Sequence, residues 1–219
     1  MGQTQAMRIL SVLTIAMLGC VAGACSAKPV NFAVGQAHFS LSPPEGYCLP
    51  SGEDAAAAAT VVAGDPANNT LVFVMKCNEP IGIGAADYTR ITSPLKLADE
   101  KLSKDDVFKK LGNQTVSSGT LSKISENISR AISNDVSVGN KFYSVGQDDT
   151  CIFQVGLASI SSTVHGNTVG YDQGFSTCTT VISGKIIAIT RYGAAAGADD
   201  LSKLSREAKT IATQIHAKD

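Results

Sequence analysis

The sequence predicts an α+β fold, an antiparallel sheet covered by helices and closed by a C-terminal amphipathic helix. Three observations carry that expectation. Between Asp135 and Gly193 apolar residues recur at every second position, the period of a strand. From Leu201 to Ile215 they recur every third or fourth position, the period of one helix face. Cys48, Cys77, Cys151 and Cys178 are spaced so that two local loops can each be closed by a disulfide.

Composition sets the scale of the problem. The chain has 219 residues, of which 44% are hydrophobic and 17% charged. That is enough apolar material for one core and too little charge for a disordered chain. The formal net charge is −1, so there is no basic excess with which to neutralise a phosphate backbone, and nucleic acid is not an expected partner. Tryptophan is absent and aromatic residues make up 5%, which leaves few platforms for stacking on bases or sugars.

Residues 1–27 read as a secretory leader, followed by a single exported domain over 28–219. Arg8 supplies the positive start, Ile9 to Leu18 the apolar stretch, and small residues continue to Ala27. The stretch is short for a membrane span, although a short anchor remains the competing reading. Met7 is an alternative start. Ala22-Gly23-Ala24 and Cys25-Ser26-Ala27 offer small residues to a signal peptidase. Leu18-Gly19-Cys20 and Gly23-Ala24-Cys25 resemble lipoprotein cleavage sites, which makes Cys20 and Cys25 candidate lipidation positions. No later stretch is apolar enough for a transmembrane helix.

The other four cysteines suit an oxidising compartment. They allow three connectivities. Cys48–Cys77 and Cys151–Cys178 are favoured as local closures, each of roughly thirty residues, for which chain entropy gives about 3–4 kcal/mol. A structural metal site would need cysteine pairs two to four residues apart, and the chain has none in this part.

The elements follow in order. Residues 28–45 read as one extended segment with Phe39 and Leu41 on a single face, stopped by Pro43-Pro44. Gly46-Tyr47-Cys48 reads as a turn. Ser51 is the expected N-cap of an Ala-rich helix with Glu53 and Asp54 in its first turn, ending near Gly64. Residues 65–69 are expected to be loop and Thr70–Lys76 a buried strand. Ile81–Ile83 and Tyr88–Thr92 are strand or loop. Ser103 and Asp106 form a capping pair for a helix with Val107 and Leu111 on one face. A further helix is expected over 121–132. A meander follows, with Cys151, Phe153, Val155 and Leu157 on one face of a strand. A second strand carries Val169, Tyr171 and Phe175 and leads to Cys178. Ser183-Gly184 is a tight turn into Lys185–Tyr192, which is apolar on both faces and therefore central. Asp199-Asp200 open the last helix, with Leu201, Leu204, Ala208, Ile211 and Ile215 on one stripe.

Pro44-Glu45-Gly46-Tyr47-Cys48, followed by a helix and then Phe73-Val74-Met75-Lys76-Cys77, resembles a group of uncharacterised exported bacterial proteins to which no activity is assigned. Phe39-Ser40-Leu41 with Pro43-Pro44, the Gly184-Lys185-Ile186-Ile187 hairpin and the terminal helix are similar in layout to PsbP-like domains. That resemblance implies an α/β/α sandwich and a non-enzymatic assembly or binding role.

Chemistry is harder to find. There is no nucleophile elbow, phosphate-binding loop or metalloprotease helix. Gly82-Ile83-Gly84 lacks the third glycine of a dinucleotide turn. His38, His165 and His216 are scattered through the sequence, and catalysis would need one of them beside a nucleophile and an orienting acid. Asp148-Asp149 reads as a turn and Asp199-Asp200 as a helix start, with too few oxygen ligands nearby for calcium. Three Asn-x-Ser/Thr triplets, at Asn68, Asn113 and Asn127, match the glycosylation pattern only. Arg90, Tyr171, Arg191 and Tyr192 are candidates for a recognition surface because they are large polar or aromatic groups near strand ends. No cofactor or metal is expected. The expectation is an exported envelope protein acting as a binding or assembly module, its partner another envelope protein or a small ligand. The alternatives are an exported hydrolase and a small-ligand carrier.

Overall fold

The computed structural model describes residues 28–79, 87–111, 136–164 and 167–218. The leader with Cys20 and Cys25, the expected helix over 121–132, Gly82-Ile83-Gly84 and His165 lie outside these residues, as do the triplets at Asn113 and Asn127.

Thirteen elements matter here. They are β1 (Val30–Val34), β2 (Ala37–Leu41), β3 (Tyr47–Cys48), α1 (Glu53–Ala63), β4 (Asn68–Lys76), β5 (Tyr88–Pro94), α2 (Lys104–Leu111), β6 (Val136–Gln147), β7 (Ile152–Val164), β8 (Asn167–Ile182), β9 (Lys185–Ala194), α3 (Ala198–Thr213) and β10 (His216–Lys218). They build two antiparallel sheets and three helices, an α+β fold. The larger sheet runs β3-β4-β5-β9-β8-β7-β6 and the smaller β1-β2-β10.

The core explains the order. Val72, Val74, Ile91, Ile187 and Ile189 point to one face of the large sheet. There they meet Phe39 and Leu41 of the small sheet and Ala208 and Ile211 of α3. Alternate residues point the other way. Phe73 and Met75 meet Ala58 of α1, while Ile152 and Ile186 meet Val107 and Phe108 of α2. Strand β9 lies between β5 and β8, so the central position read from its two apolar faces holds. Ser183 and Gly184 turn into it with φ of 50° and 78°, the twist a two-residue hairpin needs.

Both expected disulfides are present. Cys48 pairs with Cys77 and Cys151 with Cys178, at Cα separations of 5.4 and 5.1 Å. The second is wholly buried in the main core.

Four local readings need correction. Residues 28–45 are not one extended segment but the β1–β2 hairpin, because Gly35 turns the chain with φ 55°. A Cβ at Gly35 would also strike the carbonyl of Ala98. Ser51 does not cap α1. Gly52 holds the cap position at φ 56°, ψ −128°, leaving Ser51 outside it. Asn68 and Asn69 belong to β4 rather than to a loop. The Asn68 amide donates to both oxygens of Asp65 at 3.0 Å, which frees the backbone to pair with Ser93 and Pro94. Ile215 is buried but lies beyond α3, in the step to β10. Conversely, the Ser103 cap is formed: the Asp106 N–H donates to Ser103 Oγ at 3.1 Å and Ser103 Oγ to Asp106 Oδ2 at 2.8 Å.

Lys185 is a buried cation at the start of β9. Its ammonium donates to the carbonyls of Ala98 and Glu100, each at 2.8 Å. These carbonyls end a single helical turn at Leu95–Leu97, where cationic charge is favourable. The side chain thereby ties the connection before α2 to the central strand.

Candidate functional site

Two open hollows mark the described surface. One, of ≈ 830 Å³, lies between α2 and the β6–β7 turn, lined by Lys104, Phe108, Asp148 and Asp149 among others. Three of its charged side chains are engaged within the fold. The Lys104 ammonium donates to the Asp149 carbonyl and lies 5.2 Å from the Phe108 ring centroid, and Lys209 Nζ donates to Asp148 Oδ2 at 2.7 Å.

The other, of ≈ 510 Å³, is a groove between α3 and the segment entering β3. Glu45 and Tyr47 stand on one wall, Lys203, Arg206 and Glu207 on the other, and Arg191 forms the floor. Strand β9 delivers Arg191 to this face because it alternates with Ile189 and Gly193 on the side that α3 covers. Two glycines make that approach possible. Gly174 and Gly193 are directly paired across β8 and β9, and a Cβ at either would lie 3.2 Å from a methyl of Leu204.

Arg191 is 3% exposed, so each of its donors requires a partner. Nε donates to Glu207 Oε2 at 3.0 Å and Nη2 to the same oxygen at 2.9 Å. Nη2 also meets Asp87 Oδ1 at 2.8 Å and donates to Tyr47 Oη at 2.7 Å. Nη1 donates to the Tyr88 carbonyl at 2.8 Å. Tyr47 Oη passes its own proton on, donating to Asp87 Oδ1 at 2.6 Å, and its ring faces the guanidinium at 4.9 Å. A planar fork with five N–H groups fits this arrangement as an ammonium would not.

The protonation states follow. Burial, then the bond to Asp87, pushes the Tyr47 phenol up, and nearby Arg191 offsets only part of that. Burial opposes the charge on Arg191, but Asp87, Tyr47 and Glu207 together raise its pKa above the usual arginine value. Near neutral pH the floor is therefore a fixed cation held by two carboxylates and a neutral phenol. The rim differs. Glu45, Lys203 and Arg206 are exposed and make no ion pair among the described residues.

Of the four residues expected to form one recognition surface, Arg191 stands on one face of the sheet and the other three on the opposite face. Arg191 floors the groove, whereas Tyr192, its neighbour in β9, points to the opposite face. There Tyr192 stacks on Tyr88 at 4.3 Å, Tyr88 on Phe73 at 5.0 Å, and Phe175 tilts against Tyr192 at 6.1 Å. Arg90 and Tyr171 share that face by strand parity. Arg90 is 7% exposed and structural, with Nη2 on Asp65 and Nε on Thr70 Oγ1, both at 2.9 Å. Tyr171 is half-buried, and burial raises its phenol. Strict alternation along β9 was the signal that separates Arg191 from Tyr192. Tyr47, Asp87 and Glu207 carried none, since they reach Arg191 from distant parts of the chain.

The histidines do not build a hydrolytic centre within the described residues. His38 and His216 are exposed on the small sheet, where His216 stands opposite Ser40. No hydrogen bond joins them among the described contacts. Asp148 accepts from the Thr150 and Cys151 N–H groups at 2.7 and 2.8 Å, which confirms the turn, and Asp199 and Asp200 lie in the first turn of α3.

No family model matches the chain, and no curated protein does. Among solved structures, the solution structure of cyanobacterial PsbP (CyanoP) from Synechocystis sp. PCC 6803 aligns over 92% of this chain and 99% of that chain. The sequence identity is 14% and the TM-score 0.40. At that level of similarity the comparison says nothing about function.

Proposed function

We propose that the chain is an exported, non-enzymatic binding or assembly module of the cell envelope, and that the groove beside α3 is its recognition surface. The observation that carries this is the contrast between floor and rim. The floor is a buried guanidinium whose charge is held by Asp87, Glu207 and the Tyr47 hydroxyl. The rim holds charges of both signs that make no ion pair among the described residues, Lys203 and Arg206 on α3 and Glu45 across the groove. A rigid base under unsatisfied charges suits recognition of a polar protein face, one with carboxylates opposite Lys203 and Arg206. The reading takes the two helix-bearing faces of the large sheet as outer layers of an α/β/α sandwich closed by α3. It takes residues 1–27 as the export signal, with Cys20 or Cys25 as the lipid anchor if the chain is tethered. Two disulfides are compatible with an oxidising compartment. Of the described helices, none is long and apolar enough to cross a membrane.

The test is an in-cell crosslinking pull-down of the mature chain, beside the double charge reversal Lys203→Glu/Arg206→Glu. One recurrent partner at near-equal amount, lost on charge reversal, is the expected result. A partner retained by the reversed variant would move the surface elsewhere. Turnover of a substrate, abolished by changing one groove residue, would replace the reading with the hydrolase. A small molecule retained in native mass spectra would replace it with the carrier.

A further inference from the structure

We infer that the Cys48–Cys77 disulfide is a reducible latch that holds the Tyr47 wall of the groove in place, while Cys151–Cys178 is a permanent core bond. The latch is a property of the wall and does not depend on what the groove binds.

The two bonds differ first in setting. Cys151 and Cys178 are each 0% exposed and sit among the main core residues. A reductant reaches them only when the core opens. Cys48 and Cys77 are half-buried and lie at the edge of the large sheet, on β3 and just past β4. Exchange needs a thiolate to approach one sulfur in line, so access separates the two bonds kinetically.

They differ also in what they hold. Cys77 follows a nine-residue strand that is paired along its length with β5. Cys48 belongs to a two-residue strand paired only through Tyr47↔Lys76 and Cys48↔Met75. One further backbone bond joins the pair, from the Cys77 N–H to the Gly46 carbonyl at 2.7 Å. Beside the side-chain contacts of Tyr47, the covalent bond is therefore the main restraint on the Cys48 side. The loosened segment is bounded by anchored neighbours: Leu41 is 1% exposed in β2, and α1 packs on Phe73 and Met75 through Ala58. Release would be local to residues 42–52. Tyr47 lies inside that segment, next to the bonded cysteine, and it is the residue that reaches Arg191 and Asp87.

The chemistry balances with a dithiol as reductant. One of its thiolates attacks a sulfur of the protein disulfide, the other cysteine leaves as thiolate, and a mixed disulfide forms. The second thiol of the reductant then displaces the protein sulfur. Two electrons and two protons pass to Cys48 and Cys77, and the reductant closes its own disulfide. Tyr47 is then tethered to Arg191 by noncovalent contacts alone, and the groove wall opens.

The experiment titrates the folded oxidised protein with dithiothreitol, traps thiols by alkylation and follows amide exchange by NMR. The expected result is alkylation of Cys48 and Cys77 at reductant levels that leave Cys151–Cys178 intact. With it comes a roughly tenfold faster exchange of the Tyr47 and Cys77 amides, which bond to the Pro44 and Gly46 carbonyls within or beside the released segment, as local opening requires. The β8 and β9 amides stay unchanged. The Cys48→Ser/Cys77→Ser variant should show the same pattern if it folds, and the titration of the native protein decides the matter if it does not. Simultaneous reduction of both disulfides would overturn the latch. So would undiminished protection of the Tyr47 and Cys77 amides after selective reduction.

Discussion

Arg191 shows how one side chain can be both structural and site-forming. Replacing it with Met would leave Asp87 and Glu207, each about one-third exposed, facing each other without a cation. Removing one partner from a buried ion cluster costs about 3–5 kcal/mol, and partial exposure of the carboxylates reduces that here to about 2–4 kcal/mol. Urea unfolding of Arg191→Met would measure it. Arg191→Lys should recover only part, because an ammonium cannot bond Glu207, Asp87 and the Tyr88 carbonyl together. At this scale the sequence was a partial guide. Arg191 stood out as a large polar group near a strand end, and so did Arg90 and Tyr192, yet their partners are set by tertiary contacts up to 144 residues away. Local pattern carries no record of such pairs. Lys185 shows the same limit, since nothing local in the sequence marks the two carbonyls on which it is buried.

Among the elements, α3 was the most legible and β1–β2 the least. The stripe of α3 is long and periodic, whereas a two-residue turn inside an alternating run leaves the alternation almost unbroken. What periodicity could not show is how closely α3 approaches the sheet. Gly174→Ala places a methyl against the Ala195 Cβ and 3.2 Å from Leu204 Cδ1. The expected loss is about 1–3 kcal/mol by thermal or urea unfolding. Helix α3 is also tied to the β6–β7 turn through Lys209 and Asp148. Partial burial opposes the charge on Asp148, but Lys209 and the Cys151 and Thr150 N–H groups hold its carboxyl below the ordinary aspartate value of 3.8. A depressed folded-state pKa stabilises above the unfolded value and is lost as pH falls through the folded one. Urea stability of the native chain and of Asp148→Asn should therefore differ by a constant amount at neutral pH. The difference should shrink as pH falls below about 4, where the unfolded-state carboxyl takes up its proton, and be lost once the native carboxyl has also done so. A gap that persists unchanged in strong acid would rule the linkage out.

For the molecule as a whole, the fold class, the central strand and both cysteine pairings were readable, because each rests on periodicity or simple spacing. The division of labour between faces was not, since it depends on which helix covers which side. The tyrosines report on this larger organisation. Burial raises the phenols of Tyr88, Tyr171 and Tyr192, and burial with the Asp87 bond raises Tyr47, so four of the five tyrosines resist ionisation in the native state. A raised folded-state pKa stabilises below the unfolded value, here 10.0, and that stability is lost as pH rises beyond it. Tyrosinate absorbance should therefore rise late and together with the loss of near-ultraviolet dichroism. Full ionisation of a still-folded protein near pH 10 would contradict the packing described above.

The pairing of β10 with β2 has a consequence in time rather than in space. Residues 216–218 lie beside residues 38–40, so the small sheet joins stretches of chain that are far apart in sequence. A polypeptide delivered amino end first can finish β6 to β9 early, since each strand there meets its neighbour in sequence. The small sheet has to wait for residues 216–218 to arrive. Contacts of such separation are slow to form and close late. Until then Phe39 and Leu41 stay short of their final cover, and a chaperone can act on the chain.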